Sequence, residues 1–436
     1  MTMPVRAMQR LKMSGCQNMK RKLPIGNDNF AEIRELGQYF VDKSLFIRDF
    51  LKWEDKVALI TRPRRFGKSL NMTMLREFLD ITKDSRVLFD GLKIMDTEYA
   101  DQINSRPVVY YAFKNCKGAT AAELLVMMKN ELLKEYVRYG ELLKGKLDES
   151  LYSTRQFCRM AENLMDKESG YPYIATAIQD LCAVLYAHYG KKPILLIDEY
   201  DQPIMSSYEY GYHEELSPFF SNLYGSAMKG NDELGQALLT GVQRVAKESI
   251  FSQFNNPQVY TVVREEYAPY FGLTKEECAR LLTDCGRVLD EEVRKQYDGY
   301  MVGGVELYNP WSILNYAKTG FLDNYWVNTS ANFLVRQALK NAGRSFWNTF
   351  DRLAAREEAE VWLTLDTSYA ERASDYSLWG LLVNAGYLTV RRRTSANTAV
   401  VKVPNGEVMA EFFRIGLAHH KKKCSLIYEI ITPHND

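Results

Sequence analysis

Residues 57–69 read VALITRPRRFGKS. Val57 to Thr61 is a short apolar run that reads as a buried strand. Gly67, Lys68 and Ser69 come next, and from Ser69 to Ile81 the residues Leu70, Met74, Leu75, Phe78 and Leu79 recur at helical spacing. A strand, a glycine-bearing turn and a helix in that order outline a phosphate loop. The turn aims backbone N–H groups at an anion, the lysine reaches the outer phosphates, the hydroxyl holds Mg2+, and the helix N-terminus adds partial positive charge. Arg62 stands where the usual pattern has its first glycine, and Pro63 stiffens the turn. The triplet alone is a weak signal, since a solvated basic turn capping a helix reads the same way.

A second motif removes most of that ambiguity. Ile194 to Ile197 are four apolar residues, followed by Asp198 and Glu199. A strand of this kind carries its terminal acid to the carboxyl edge of a sheet, where ligands of α/β proteins bind. There Asp198 can hold Mg2+ together with Ser69, and Glu199 can orient or deprotonate an attacking water. Glu199 and Lys68 are the catalytic candidates. Asp201 is a spare acid with a solvent-facing or structural role. Further on, Thr240-Gly241-Val242-Gln243-Arg244 follows another strand. In ATPases with an extra strand between the two motif strands, this strand end carries a polar sensor of the γ-phosphate. Thr240 is the candidate sensor and Arg244 a candidate arginine finger; a structural threonine and a surface arginine fit equally well. Arg64 and Arg65 either neutralise nucleotide charge or pair with acids. With Phe66, Gly67, Lys68, Ser69, Leu70 and Thr240 they form the expected nucleotide-binding set.

Outward from these motifs, strands alternate with helices through residue 265, which argues for a mostly parallel sheet. Pro107–Phe113, Gln236–Gly241 and Val259–Val263 join the two motif strands to make about five in all, and residues 120–190 read as mostly helical. The expected fold is α/β: a P-loop NTPase parallel sheet of the additional-strand type over residues 23–268. An all-helical lid is expected over 269–330, with one amphipathic helix from Lys275 to Tyr297, a turn at Gly303-Gly304 and a helix from Pro310. A helical and winged-helix-like region over 331–417 comes next, helical through 331–372 and ending in a helix, a hairpin and a helix from Glu407. Residues 1–22 read as a disordered tail, with Met19 or a neighbour as the biological start, and 418–436 as a second, aberrant-looking tail.

The 436 residues call for two or three domains at about 100–200 residues each. Lys and Arg number 56 against 55 Asp and Glu, so bulk charge gives no argument for nucleic acid or membrane. Seven scattered cysteines without a Cys-x-x-Cys pair fit a reducing, cytoplasmic setting, and five histidines offer no zinc spacing. No stretch approaches the roughly 20 apolar residues of a membrane helix.

The stretches LPIGNDNFAEIRELGQYFVDKS, ITRPRRFGKSLNMTML, ILLIDEYDQPI, LLTGVQRVAKESIF, NNPQVYTV, YDGY and YNPWSILNYAKTG resemble the bacterial AAA-ATPase-like proteins that carry a C-terminal PD-(D/E)xK nuclease-like domain. The arginine in place of the first glycine is typical of that family. The resemblance covers about residues 23–417. It implies ATP and Mg2+ as cofactors and carries the ATPase roles onto Lys68, Ser69, Asp198 and Glu199, the LTG segment onto Leu239, Thr240 and Gly241, and a place near the base onto Tyr39 to Lys43. After Pro404 the sequence offers no Asp followed by a strand with Glu-x-Lys, so no nuclease activity is expected of this chain. A truncated or frame-shifted product and a natural short paralogue both fit.

The functional expectation is Mg2+-dependent ATP hydrolysis coupled to a conformational change. The alternatives are a slow nucleotide-binding switch or scaffold and a truncated pseudo-ATPase. Candidate partners are an unidentified protein, a neighbouring subunit, and DNA through Arg391, Arg392, Arg393 and Lys402 on the proposed wing; no membrane contact is expected.

Overall fold

A computed structural model describes residues 21–245, 257–327, 339, 342–367 and 375–431. The expected tail over 1–22 lies almost wholly outside the described residues, as do part of the helical stretch expected over 331–372 and the end of the second tail.

Helices α1 (Phe30–Glu35) and α2 (Leu45–Trp53) lead into β1 (Val57–Thr61), and α3 (Lys68–Leu79) follows the loop. Next come β2 (Val108–Ala112), the helices α4 (Ala121–Leu142), α5 (Tyr152–Met165) and α6 (Ala177–Tyr189), and β3 (Ile194–Asp198). Helices α7 (Gln202–Tyr210) and α8 (His213–Met228) precede β4 (Gln236–Gly241), the two-residue β5 (Arg244–Val245) and β6 (Gln258–Tyr260).

The main sheet has the order β2-β3-β4-β1-β6, with every neighbouring pair parallel. Its strands are continuous apolar runs because both faces are covered. Leu59, Val109, Leu195, Ile197, Ala237 and Leu239 belong to one core, whereas Ala58, Ile60, Val108, Leu196, Leu238 and Tyr260 belong to the other. Strand β4 lies between the two motif strands. Because the pairing is parallel, the carboxyl ends share one edge: Thr61 registers with Gly241 and Ala112 with Asp198.

The segment expected as an all-helical lid departs from that expectation in two ways. The single helix expected from Lys275 to Tyr297 is two, α9 (Lys275–Asp284) and α10 (Glu291–Tyr297). Gly286, at φ +68°, ends the first, and the Asp290 side chain caps the second. A hairpin of β7 (Tyr300–Val302) and β8 (Val305–Leu307) then turns at Gly303 and Gly304. Both glycines have positive φ, which suits a two-residue hairpin loop flanked by apolar residues. Helix α11 (Pro310–Thr319) starts at its proline under an Asn309 cap. The helices α9, α10 and α11 share a core of their own, against which Leu23, Tyr39 and Val41 pack, whereas Tyr300, Val302 and Leu307 of the hairpin belong to another core together with Trp326 and Tyr387.

The C-terminal region contains α12 (Arg344–Ala354), β9 (Ala359–Trp362), the short β10 (Asp366–Thr367), α13 (Asp375–Ala385), β11 (Thr389–Arg393), β12 (Thr398–Lys402) and α14 (Gly406–Ile431). Strand β9 corrects the helical expectation for 331–372: its residues alternate buried and exposed, the period of a half-covered strand. It completes an antiparallel sheet of order β11-β12-β9. Among the described residues no helix is long and apolar enough to cross a membrane.

Candidate nucleotide site

The loop between β1 and α3 reverses direction through two left-handed residues, Arg65 at φ +67° and Gly67 at φ +83°. Glycine takes that conformation freely; Arg65 bears a local strain. Gly67 is the N-cap of α3 and offers no side-chain cap, so the first-turn N–H groups remain directed at the space in front of the helix.

Lys68 is 6% exposed, and its Nζ donates to the carbonyls of Arg62 and Pro63 at 3.0 Å each. Burial lowers its pKa, while Glu199, Asp198 and Asp201 act in the opposite direction. Ser69 Oγ donates to Asp198 Oδ2 at 2.5 Å, and Thr240 Oγ1 donates to Asp198 Oδ1. The acid at the end of β3 is thus gripped from both sides, by the β1–α3 loop and by the end of β4. Glu199 adopts φ +53° and lines the cavity in front of the loop.

That cavity, about 270 Å3, is lined by Arg64, Arg65, Gly67, Lys68, Ser69, Leu70 and Glu199 from the expected set. Lys114, Lys117, Gln202, Asn27, Asp28 and Trp311 also line it, and the sequence reading did not single them out. Lys114 and Lys117 follow β2 at the same carboxyl edge, so the strand-end rule applied to β3 could have found them. Five cations and two acids face the cavity, a balance suited to a polyanion.

Other expected residues sit elsewhere. Phe66 is fully buried in the C-terminal core and lines not this cavity but the smaller apolar one beside the loop. Asp198 and Thr240 lie behind the lining. Arg244 is on β5, where its backbone pairs with Asp366 of β10, and it is not among the lining residues. Arg62 is fully buried: Nη1 donates to the carbonyls of Thr61, at 2.8 Å, and Tyr260, at 2.7 Å, tying the ends of β1 and β6 together. Burial pushes its pKa down to about 9.

Residues 24–251, just over half of the chain and inclusive of the β1–α3 loop, Asp198, Glu199 and Thr240 to Arg244, match the AAA-ATPase-like family, described as "Predicted AAA-ATPase". The chain belongs to that family. It is also 27% identical over 398 residues to a protein of Azotobacter chroococcum mcd 1 described as "Uncharacterized protein in vnfD 5'region", a match that spans 90% of this chain and 69% of that protein.

Two further features of this AAA-ATPase-like chain shape the site. Asp201, 2% exposed, accepts from the backbone N–H groups of Val242 (2.9 Å) and Gln243 (2.8 Å). Of the two roles open to this acid, the structure gives it the structural one, anchoring the segment after Thr240. Burial raises its pKa to about 6, against the effect of those two hydrogen bonds. Beside the loop lies a second, mainly apolar cavity of about 80 Å3, lined by Tyr39, Val41, Gly67, Leu70, Leu281 and Leu314 among others. The stretch Tyr39 to Lys43 therefore borders the β1–α3 loop. Lys43 Nζ is tied to Glu277 and to the Pro269 carbonyl, and Tyr39 OH donates to Asp284 at 2.7 Å, joining this stretch to α9.

Proposed function

We propose that this chain binds ATP with Mg2+ and hydrolyses it, coupling nucleotide state to movement of its lid and C-terminal region in a cytoplasmic setting. The observation that carries the reading is the meeting of Lys68, Ser69 and Glu199 at one cation-rich cavity, with Asp198 held against Ser69. The Ser69 hydroxyl and the Asp198 carboxylate are hard oxygen donors of the type Mg2+ takes alongside phosphate oxygens. Bound there, the ion would draw negative charge off the phosphates. Lys68 grips the β- and γ-phosphates, Arg64 and Arg65 neutralise charge at the rim, and Glu199 orients the attacking water. Thr240, on the other oxygen of Asp198, registers the γ-phosphate, and Arg244 is the candidate finger for a neighbouring subunit. The base takes the apolar cavity between Tyr39, Val41, Leu70 and Leu314.

The test is Mg2+-dependent ATP binding and turnover in wild type, Lys68→Ala and Glu199→Gln. Turnover in wild type that both variants abolish, with Glu199→Gln still binding, upholds the reading. No binding by wild type overturns it.

A second reading, a switch that binds ATP and hydrolyses it slowly, draws support from the ties between the site and the C-terminal region: Gln243 Oε1 accepts from Asn384 Nδ2 at 3.0 Å, and β5 pairs with β10. Turnover separates the two. We read α12, β9, α13, β11 and β12 as a winged-helix-like unit. Arg391, Arg392 and Arg393 are exposed on its hairpin, as a phosphate-contacting wing requires, but Arg391 already faces Glu358 at 3.6 Å. A mobility-shift titration of wild type against the triple Arg→Ala variant decides whether DNA is a partner.

A further inference from the structure

Phe66 is a phosphate-loop residue whose ring belongs to another core. It stands edge-on to Tyr300 at 5.0 Å, in the cluster that also holds Trp326, Tyr387, Val408 and Phe412. Pro63, earlier in the loop, meets Gly386 so closely that a Cβ there would lie 2.9 Å from Pro63 Cβ and 3.3 Å from Trp326 Cζ2. Between these two contacts, the indole N–H of Trp326 donates to the carbonyl of Arg64 at 3.1 Å. The loop is thus held by the C-terminal region at Pro63, Arg64 and Phe66, immediately before the residues that face phosphate.

Trp326 is itself held by a single carboxylate. Its backbone N–H donates to Glu407 Oε1 at 2.5 Å, and Glu407 Oε2 accepts from Ser312 Oγ at 2.9 Å. Glu407 is fully buried in the first turn of α14, where the helix dipole favours negative charge. Ser312 neighbours Trp311, over whose ring the Arg65 guanidinium lies at 4.4 Å. One acid therefore joins the lid helix α11, the Trp326 segment and α14, and Trp326 passes that junction to the loop.

We propose that Glu407 and Trp326 are positioning residues of the nucleotide site: acting through the Arg64 carbonyl, they set the shape of the phosphate loop and with it the affinity for Mg2+–ATP. The proposal rests on the ATP reading above. The hydrogen bonds of Glu407 to Trp326 and Ser312 are buried and that of Trp326 to Arg64 partly so; of the residues that line the site, only Arg64, Arg65 and Trp311 take part. Removing the indole donor leaves a carbonyl without its partner, a loss typical of one buried hydrogen bond. Coupling of this kind is reciprocal, so nucleotide must in turn steady the first turns of α14.

The experiment uses the full chain. Dissociation constants for Mg2+–ATP, KM and kcat, melting temperature, and hydrogen exchange of peptides spanning 62–70 and 406–417 are measured for wild type, Trp326→Phe, Glu407→Ala and Glu407→Gln. Trp326→Phe keeps the aromatic ring and removes the donor; Glu407→Gln keeps acceptor and size. The expected result is about 3- to 10-fold weaker binding in Trp326→Phe and Glu407→Ala, with kcat changed less than KM. Exchange at 62–70 rises, and nucleotide no longer protects 406–417; Glu407→Gln falls between these variants and wild type. Variants that melt earlier yet bind ATP and exchange at 62–70 like wild type overturn the proposal, because a merely structural role predicts that pattern. If wild type binds no ATP, the site reading fails separately. The exchange at 62–70 without nucleotide then decides the clasp: raised in Trp326→Phe it stands, unchanged it falls.

Discussion

The hydroxyl of Ser69 lies 2.5 Å from Oδ2 of Asp198 across 129 positions of sequence. The two motifs read separately along the chain therefore meet as one hard-oxygen pair. Ser69→Ala and Asp198→Asn are each expected to abolish the Mg2+ dependence of turnover, with kcat reduced about 100-fold or more. ATP turnover titrated against MgCl2 checks this; an unchanged Mg2+ midpoint in both variants would falsify the assignment.

Thr240 holds the other oxygen of Asp198. Thr240→Val keeps the shape and removes the hydroxyl. Turnover should drop by about 10-fold or more while ATP affinity stays within about 3-fold, as the proposed role of Thr240 toward the γ-phosphate requires. Single-turnover rates alongside equilibrium binding make the measurement.

The segment after Thr240 has no spare room. A Cβ on Gly241 would stand 2.7 Å from Asp201 Oδ1 and 2.8 Å from Tyr200 Cε1. Gly241→Ala should cost about 1–3 kcal/mol, the usual penalty of overpacking. The urea midpoint reports it; wild-type stability would mean that Asp201 can move aside.

Asp201 also makes a pH prediction. Its folded-state pKa is raised to about 6, chiefly by burial, whereas an unfolded Asp titrates near 4. Between those values the folded chain binds more protons than the unfolded one, so this carboxyl's contribution to stability is present below pH 4 and is lost as pH rises through 6. Glu407, raised to about 7 by burial, acts in the same direction. Melting temperature should fall as pH is raised from 5 to 8, and fall less in Asp201→Asn. Equal slopes in the two proteins would remove Asp201 from the account.

Arg62 invites a restoration test. Arg62→Gly restores the glycine of the usual loop but removes two hydrogen bonds, one to Thr61 at the end of β1 and one to Tyr260 of β6. It should destabilise by about 2–3 kcal/mol, the worth of charge-assisted bonds, without tightening ATP binding. Denaturant midpoints and ATP affinity measured side by side check both halves.

The parts of this molecule that were legible in the sequence are local. VALIT and ILLID are strands buried on both faces, so their apolar runs announce them, and the acid or turn at each end marks the sheet edge. Helix α11 declared itself through Pro310. The parts that stayed hidden depend on partners distant in sequence. Arg62 reads as a failed glycine until Tyr260 supplies the carbonyl it holds. Phe66 reads as a loop residue until Tyr300 and the C-terminal core close round it. Strand β9 is only four residues of alternating burial, too short for its period to overrule the helical residues before it.

The burial of Phe66 has a bearing on how such chains can be recombined. A cut at residue 268 would follow the change in sequence character but would strip the loop of its hydrophobic seat and lay bare Val262 and Ala268, which share that core. The N-terminal half is therefore not a portable cassette. A C-terminal half transplanted from a relative would have to arrive with a hollow shaped for the ring at position 66. Natural variation on the two sides of that contact must accordingly travel together, although the cores involved lie in stretches a reader of the sequence would assign to separate domains.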